Sequence, residues 1–318
     1  VCHYFWEDGT RIHAHAKATD FAAEVERVLD VPGQRIMDML ADAERKYQLT
    51  GRTFLEKSLH RLSTWTNWPV VKAMLQIPTL GLFSTMNRVH EQKLKHPKLV
   101  QLFNRFATYN GSNPYKAPGL LSIIPHFEHH FGAYLPQGGM YNITEAVHQL
   151  AVRLGVQFHF NTRVDEIIVE NQRATALRCG TDIHPYDLIV SNMDVFFTYR
   201  ELLPQQAQPE RILNQEKSTS ALIFYWGINK TFPELNCHNI LFSENYREEF
   251  AAMGRGEMFA DPTVYINKTS HLVDGDAPAG KENWFVMINA PCDKGQDWDQ
   301  LAAQTRQRTL DKISRMLG

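Results

Sequence analysis

The stretch 125-PHFEHHFGAYLPQGGMYNI-143 sets His126, Glu128, His129 and His130 side by side, ahead of a proline and paired glycines. Zinc needs three or four ligands converging tetrahedrally, and helical zinc motifs place two histidines at i and i+4 so that both imidazoles share a face. His126 and His130 have that spacing, and Glu128 could act through a water. His129 and His130 are adjacent, however, and project about 100° apart on a helix. That is a poor chelate, so the expectation is no metal and a partly buried amphipathic helix ending at Gly132. The second half of the stretch is informative as shape. Pro136 imposes an extended approach, Gly138-Gly139 lets the backbone come close to another group, and a helix N-terminus follows.

Other chemistries lack their motifs. The chain contains no G-x-G-x-x-G, no G-x-x-x-x-G-K-[ST] and no G-x-S-x-G around a serine. It therefore has no complete dinucleotide fingerprint, phosphate loop or nucleophile elbow. Lys+Arg 33 against Asp+Glu 35 leaves a net charge of −2 with no basic stripe, which argues against a nucleic-acid partner. Cys2, Cys179, Cys237 and Cys292 are far apart and read as reduced thiols, consistent with a cytoplasmic location.

The elements that must position these residues fall into two textures. VCHYFWEDGTRIHAHA reads as a strand-turn-strand around Glu7-Asp8-Gly9. Helical patterns follow through residue 109, with Asp20 as an expected N-cap, Gly51 as an expected helix stop, and segments TFLEKSLHRLSTW, VVKAMLQ, STMNRVHEQKL and KLVQLFNRFATY. After the turn-rich 110-NGSNPYKAPG-119, a helix over 144–154 leads into VQFHF, VDEIIVE, ATALRC and DLIV, which read as short strands. STSALIFYWGIN and ENWFVMINAP are apolar strands, and 299–318 is a helix. The fold class is α/β (α+β). The opening at Val1 and the close inside a helix suggest a piece of a longer protein.

Three stretches together resemble the bacterial-type phytoene desaturase family, the FAD-dependent carotenoid oxidoreductases. The first is 99-LVQLFNRFATYNGSNPYKAPGLLSIIPHFEHHFGAYLPQGGM-140, similar to that family's helix, G-x-x-P-[FY] turn and P-x-GG loop in unbroken order. The second, 155-GVQFHFNTRVDEIIVENQRATALRCGTDIHPYDLIVSNMDV-195, resembles its N-x-R-V-x-x-I strand, meander and SN-[AM]-D turn. The third is 217-KSTSALIFYWGIN-229 with PAGKENWFVMINAP, similar to a substrate-side sheet. The resemblance spans nearly the whole chain. It implies a division into a substrate-side hairpin and helical insert facing a membrane (1–135), the middle of a Rossmann-like FAD domain (136–197) and a substrate-binding domain (198–318). It also implies that the pyrophosphate cradle and the flavin-covering segment lie outside this sequence, and hence a chain inactive by itself.

The implied chemistry is desaturation of a carotenoid such as phytoene, a flavin taking a hydride while a neighbouring carbon loses a proton. Gly138, Gly139, Val164, Asn192 and Asp194 are the implied FAD contacts. Such a substrate calls for an apolar channel, and its expected walls are Phe106, Tyr109, Tyr115, Phe127, Phe131, Tyr134, Phe224 and Trp226. Glu128 is the nominated proton acceptor, tuned toward general-base work by an apolar setting. Isomerisation or another oxidation of a carotenoid or retinoid, or a non-enzymatic lipid-binding module, would use the same stretches. Finally, 65-WTNWPVVKAMLQIPTLGLFSTM-86 carries Trp65 and Trp68 and is flanked by Lys57, Arg61, Arg88, Lys93 and Lys95. Broken by Pro69, Lys72 and Pro78, it is unsuited to span a bilayer. It reads either as a buried helical hairpin or as a patch resting in one leaflet of a membrane surface.

Overall fold

The computed structural model describes residues 1–318 apart from 59, 67–69 and 71–75, with side chains also left undescribed at 52–55 and 77. Two compact units emerge, Val1–Met140 with Ser218–Gly318, and Tyr141–Lys217.

The first unit is built on a six-stranded mixed sheet. Its strands are β1 (Cys2–Phe5), β2 (Arg11–Ala14), β6 (Ser220–Ile228), β7 (His238–Leu241), β8 (Val264–Asn267) and β9 (Glu282–Ala290), in the order β2-β1-β7-β8-β9-β6. The hairpin read from Glu7-Asp8-Gly9 forms β1 and β2, with Gly9 at φ 82° where a side chain would be strained. β1 then runs parallel to β7, and the remaining pairs are antiparallel.

Alternation sends successive side chains to opposite faces. On one face Phe5, Leu241, Val264, Ile266, Trp284, Val286 and Ile288 meet Ile313 of the C-terminal helix Trp298–Leu317. The other face carries Tyr4 and Ile240 into a larger core with Phe21, Val25, Ile36, Leu99, Leu102 and Phe103 from the helices. Each such fully buried side chain contributes roughly 1.5–3 kcal/mol of transfer free energy. A buried ion pair, Lys268 to Glu282 at 2.9 Å, closes one edge of the first core. Both partners are further hydrogen-bonded, since Lys268 also donates to the Phe232 carbonyl and Glu282 accepts from Trp284 Nε1.

The helical layer begins with Ala18–Leu29, whose buried Phe21, Ala22 and Val25 share one stripe. It starts two positions before Asp20, which sits in the first turn and complements the helix dipole rather than capping it. Gly33 is required by close approach, because a Cβ there would lie 2.8 Å from the Ala22 carbonyl oxygen. The next helix, Gln34–Glu56, runs through Gly51 instead of stopping there. The Tyr47 ring covers that glycine at 2.7 Å from a hypothetical Cβ, so its role is to seat an aromatic. Met86–Leu94 is N-capped by the Thr85 side chain, and Pro97–Asn104 passes into a 3-10 turn over Arg105–Asn110. Most of the expected helix VVKAMLQ lies outside the described residues.

The second unit holds the helix Tyr141–Arg153 and a meander of β3 (Glu166–Glu170), β4 (Arg173–Cys179) and β5 (Asp182–Pro185). Asn171 and Gln172, both at positive φ, make the tight turn that joins β3 to β4. The expected strands VQFHF and DLIV are not strands here. A strand exists only through a ladder, and neither segment has a paired neighbour among the described residues. Phe160, Leu188 and Val190 stand 71%, 79% and 83% exposed.

Candidate active site

A cavity of about 730 Å³ opens in the first unit, on the helical side of the sheet. Strand parity supplies one wall. His238 and Ile240 on β7, Tyr265 on β8, and Met287 and Asn289 on β9 all line it, while their neighbours in sequence face the opposite core. The other wall comes from the 3-10 turn after Pro97–Asn104, with Arg105, Thr108 and Tyr109, and from the segment carrying Ile124, Phe127 and Glu128.

The histidine-rich stretch forms one wide π-helical turn, Phe127–Phe131, ended by Gly132 at φ 86°. Its side chains diverge. His126 and His130 stack on each other with centroids 4.4 Å apart, whereas the His129 ring lies flat against Phe21 at 5.5 Å. Among the described residues no group of three or more His, Cys, Asp or Glu side chains could hold a metal ion. Glu128 turns away from these rings to the cavity. Its Oε2 accepts a hydrogen bond from the Tyr109 hydroxyl at 3.2 Å, and its Oε1 is buried with no partner among the described residues.

Arg105 stands beside this pair and is only 8% exposed. Its guanidinium lies 5.6, 5.2 and 5.3 Å from the ring centres of Tyr4, Phe106 and Tyr109. Nη2 donates to the Tyr4 hydroxyl at 3.2 Å, and Nε is buried without a partner among the described residues. Across the cavity His238 Nδ1 meets the Tyr265 hydroxyl at 2.8 Å and the Asn267 side-chain amide nitrogen at 3.4 Å. Asn267 Nδ2 also donates to the Cys237 carbonyl, which fixes its orientation. His238 Nδ1 is therefore the acceptor and Nε2 carries the proton. Burial lowers the His238 imidazole and pushes the Cys2 thiol up to about 11, so both are neutral near pH 7. Behind the wall, Glu249 accepts from Thr263 N at 3.2 Å and Thr263 Oγ1 at 2.7 Å. Burial raises its carboxyl to about 7 in spite of those bonds.

Of the residues expected from sequence, the cavity brings together Glu128, Tyr109 and Phe127. Phe106 is 1% exposed and belongs to the helical core, with its ring under Arg105. Tyr115 lies against Arg247 and Phe250 in a separate surface groove. Phe131 packs on Phe127 and Tyr47, and Tyr134 is 87% exposed. Phe224 and Trp226 lie on the opposite face of the sheet, stacked at 5.4 Å against the core under the C-terminal helix. Register explains this last difference. Ile223, the partner of Met287, and Tyr225, the partner of Phe285, are the β6 residues on the cavity-side face. Arg105, His238 and Tyr265 were not anticipated from sequence. An arginine amid Leu102, Phe103 and Phe106 was the one available signal.

Of the expected cofactor contacts, Gly138 and Gly139 both have positive φ in a turn closed by Gly139 N to the Pro136 carbonyl. Within the second unit, Val164 lines a recess of about 580 Å³ with Arg163, Met193 and Leu202. Asn192 is exposed beside it in sequence, and Asp194 caps the following turn by accepting from Phe196 N at 2.8 Å. Trp65 ends the short helix Leu62–Trp65, and Trp68 lies outside the described residues.

Comparison with known proteins gives these features a context. Residues 1–308 match the family described as flavin containing amine oxidoreductase. The chain is 47% identical to the 1-hydroxycarotenoid 3,4-desaturase of Flavobacterium sp. (strain P99-3), across 100% of this chain and 65% of that protein. It is 32% identical to the 4,4'-diapolycopene oxygenase of Methylomonas sp, across 78% of this chain and 52% of that protein. The chain thus spans about half to two thirds of the length of these relatives. A solved oxidoreductase from Methanosarcina mazei shares the fold with a TM-score of 0.56 at 14% identity, covering 84% of this chain and 63% of that one. With a family match running from the first strand into the C-terminal helix, the chain belongs to the flavin containing amine oxidoreductase family.

Proposed function

We propose that this chain forms the substrate side of a carotenoid oxidoreductase that introduces double bonds into a long polyene. The observation that carries the reading is the 730 Å³ cavity walled by Ile124, Phe127, Ile240, Tyr265 and Met287, with Glu128 at its border. It suits a chain-like apolar ligand, and both curated relatives named above act by name on carotenoid skeletons. The relative at 47% identity is named for a hydroxylated carotenoid, so the substrate class proposed here includes carotenoids with an oxygen near the reacting end.

The cofactor proposed is FAD, with Val164 and the turn containing Asn192 and Asp194 as its contacts within the second unit. The open recess beside Val164 and Met193 fits an edge of such a group. A bound flavin supplies a two-electron acceptor for the hydride leaving an allylic carbon. The chain's own residues do the rest. The apolar walls hold the polyene extended and exclude water. Glu128, positioned by the Tyr109 hydroxyl, takes the proton lost from the adjacent carbon on its unpartnered Oε1, and the C–H electron pair becomes the new double bond. Expressed at full length in cells that accumulate a carotenoid precursor, the protein should shift the absorbance of extracted pigment to longer wavelength as conjugation lengthens. Pigment of unchanged spectrum and chromatographic mobility for both hydrocarbon and hydroxylated precursors would refute the desaturase reading.

A peripheral membrane contact is the second part of the proposal. No helix among the described residues is long and apolar enough to cross a membrane. Leu62 and Phe83 are nonetheless 79% and 89% exposed, and Lys57, Arg61, Arg88 and Lys95 are exposed in the same part of the sequence. Apolar side chains with flanking cations favour an anionic interface, each near-surface cation giving about 1 kcal/mol. Full-length protein should float with liposomes containing anionic lipid. Leu62→Ser combined with Phe83→Ser should reduce the floated fraction several-fold at unchanged circular dichroism. Equal flotation of parent and variant would return these residues to a non-membrane role.

A further inference from the structure

We propose that Arg105 is a specificity-determining residue that recognises a neutral oxygen substituent on an otherwise hydrocarbon substrate. The inference deepens the carotenoid reading above and rests on it.

An all-hydrocarbon ligand asks for an all-apolar cavity, and this one has a buried cation in its wall. The cation is not a surface residue that happens to fold inward, being 8% exposed and enclosed by Tyr4, Phe106 and Tyr109. Those rings engage the guanidinium through cation–π attraction. The ring faces do not use the N–H donors at its edge. Among the described residues Nη2 donates to the Tyr4 hydroxyl, the Tyr109 hydroxyl also hydrogen-bonds the guanidinium, and buried Nε has no partner. A buried donor left unpaired is costly, and hydrocarbon filling the cavity would keep it so. An acceptor oxygen on the ligand would remove that cost.

Charge selects which oxygen. Arg105 and Glu128 border the same cavity and cancel, and His238 and Cys2 add no charge near pH 7. A carboxylate or phosphate would gain Arg105 but face Glu128. A hydroxyl or a ketone meets no such opposition. His238, with its proton on Nε2, borders the same space and offers a second donor, this one neutral, for a substituent oxygen. The wall that receives the substrate is therefore not uniformly apolar.

The test compares three polyenes of equal chain length, one hydrocarbon, one bearing a terminal hydroxyl and one a terminal ketone. Binding to the flavin-loaded full-length protein is followed by quenching of tryptophan fluorescence, and turnover by product spectra. The parent protein should favour an oxygenated polyene by about 10- to 100-fold in Kd and in kcat/KM. Preference for the hydroxyl alone or for both oxygenated polyenes distinguishes the two sources of the oxygen. Arg105→Met should abolish the preference by weakening the oxygenated ligand alone, and Arg105→Lys should restore part of it. Equal affinity of the parent for all three polyenes overturns the proposal, and so does an Arg105→Met variant that loses hydrocarbon and oxygenated ligands equally. The parent comparison decides the matter even if the variant does not fold. Oxygen-selective binding without turnover of any polyene would sink the desaturase reading and leave this inference standing.

Discussion

Glu128→Gln should lower the rate of polyene desaturation by about 10²- to 10⁴-fold, the usual contribution of a positioned general base. Gln keeps the shape and can still accept from the Tyr109 hydroxyl, so the cavity wall should persist and Kd for the polyene should stay within a few-fold of the parent. What it cannot do is take up a proton. Tyr109→Phe is the informative companion, because it removes the group that orients Glu128 at 3.2 Å without removing the carboxylate. Its loss should be smaller, on the order of 10-fold, and should appear in kcat more than in KM. If Glu128→Gln retains full kcat, the proton leaves to another acceptor and the assignment is wrong. If it raises KM alone, Glu128 contributes to binding and not to the chemical step.

How much of this site was legible in the sequence depends on how local each signal is. The hairpin needed only Glu7-Asp8-Gly9. Glu128 and Phe127 stood out because a dense run of titratable and aromatic residues marks a segment wherever it folds. Arg105 was invisible for the opposite reason. In FNRFATY it looks like a charge at a helix end, and it becomes a buried cation only when Tyr4 arrives from the first strand. His238 and Tyr265 meet through the register of β7 on β8, where Ile240 pairs with Tyr265. Alternation in STSALIFYWGIN announces two faces without saying which looks into the cavity. Choosing the larger aromatics, Phe224 and Trp226, selected the face that packs under the C-terminal helix. VQFHF and DLIV failed differently, because strand propensity describes fitness for a sheet and not the presence of a neighbour.

Glu249→Gln should change how stability depends on pH. The carboxyl is 1% exposed, and burial raises it from 4.5 to about 7. Below pH 4.5 the group is protonated in folded and unfolded chains alike, and its contribution to stability is fully present. Between 4.5 and 7 the unfolded chain releases this proton while the folded chain keeps it, so stability falls as pH rises. Above about 7 both states are ionised and the loss is complete, roughly 3 kcal/mol for a rise of this size. Gln is a neutral stand-in for the protonated acid and can still accept from Thr263, so it should escape the loss. Asp8, whose hydrogen bonds with Lys98 lower it to about 2, contributes in the opposite direction, with stability lost as pH falls toward 2. The measurement is therefore the difference between parent and variant in urea unfolding at several pH values, which cancels the shared groups. The variant should gain on the parent from pH 5 to 7.5 and hold a constant advantage above that. Parallel curves would mean that Glu249 ionises at its ordinary pH in the folded protein. Thr263 and Asn289, which both bond to Glu249, also border the cavity. The proton on this buried acid is thereby tied to the wall that holds the substrate, and a ligand that tightens the wall around the protonated acid should raise the pH at which the stability loss is complete.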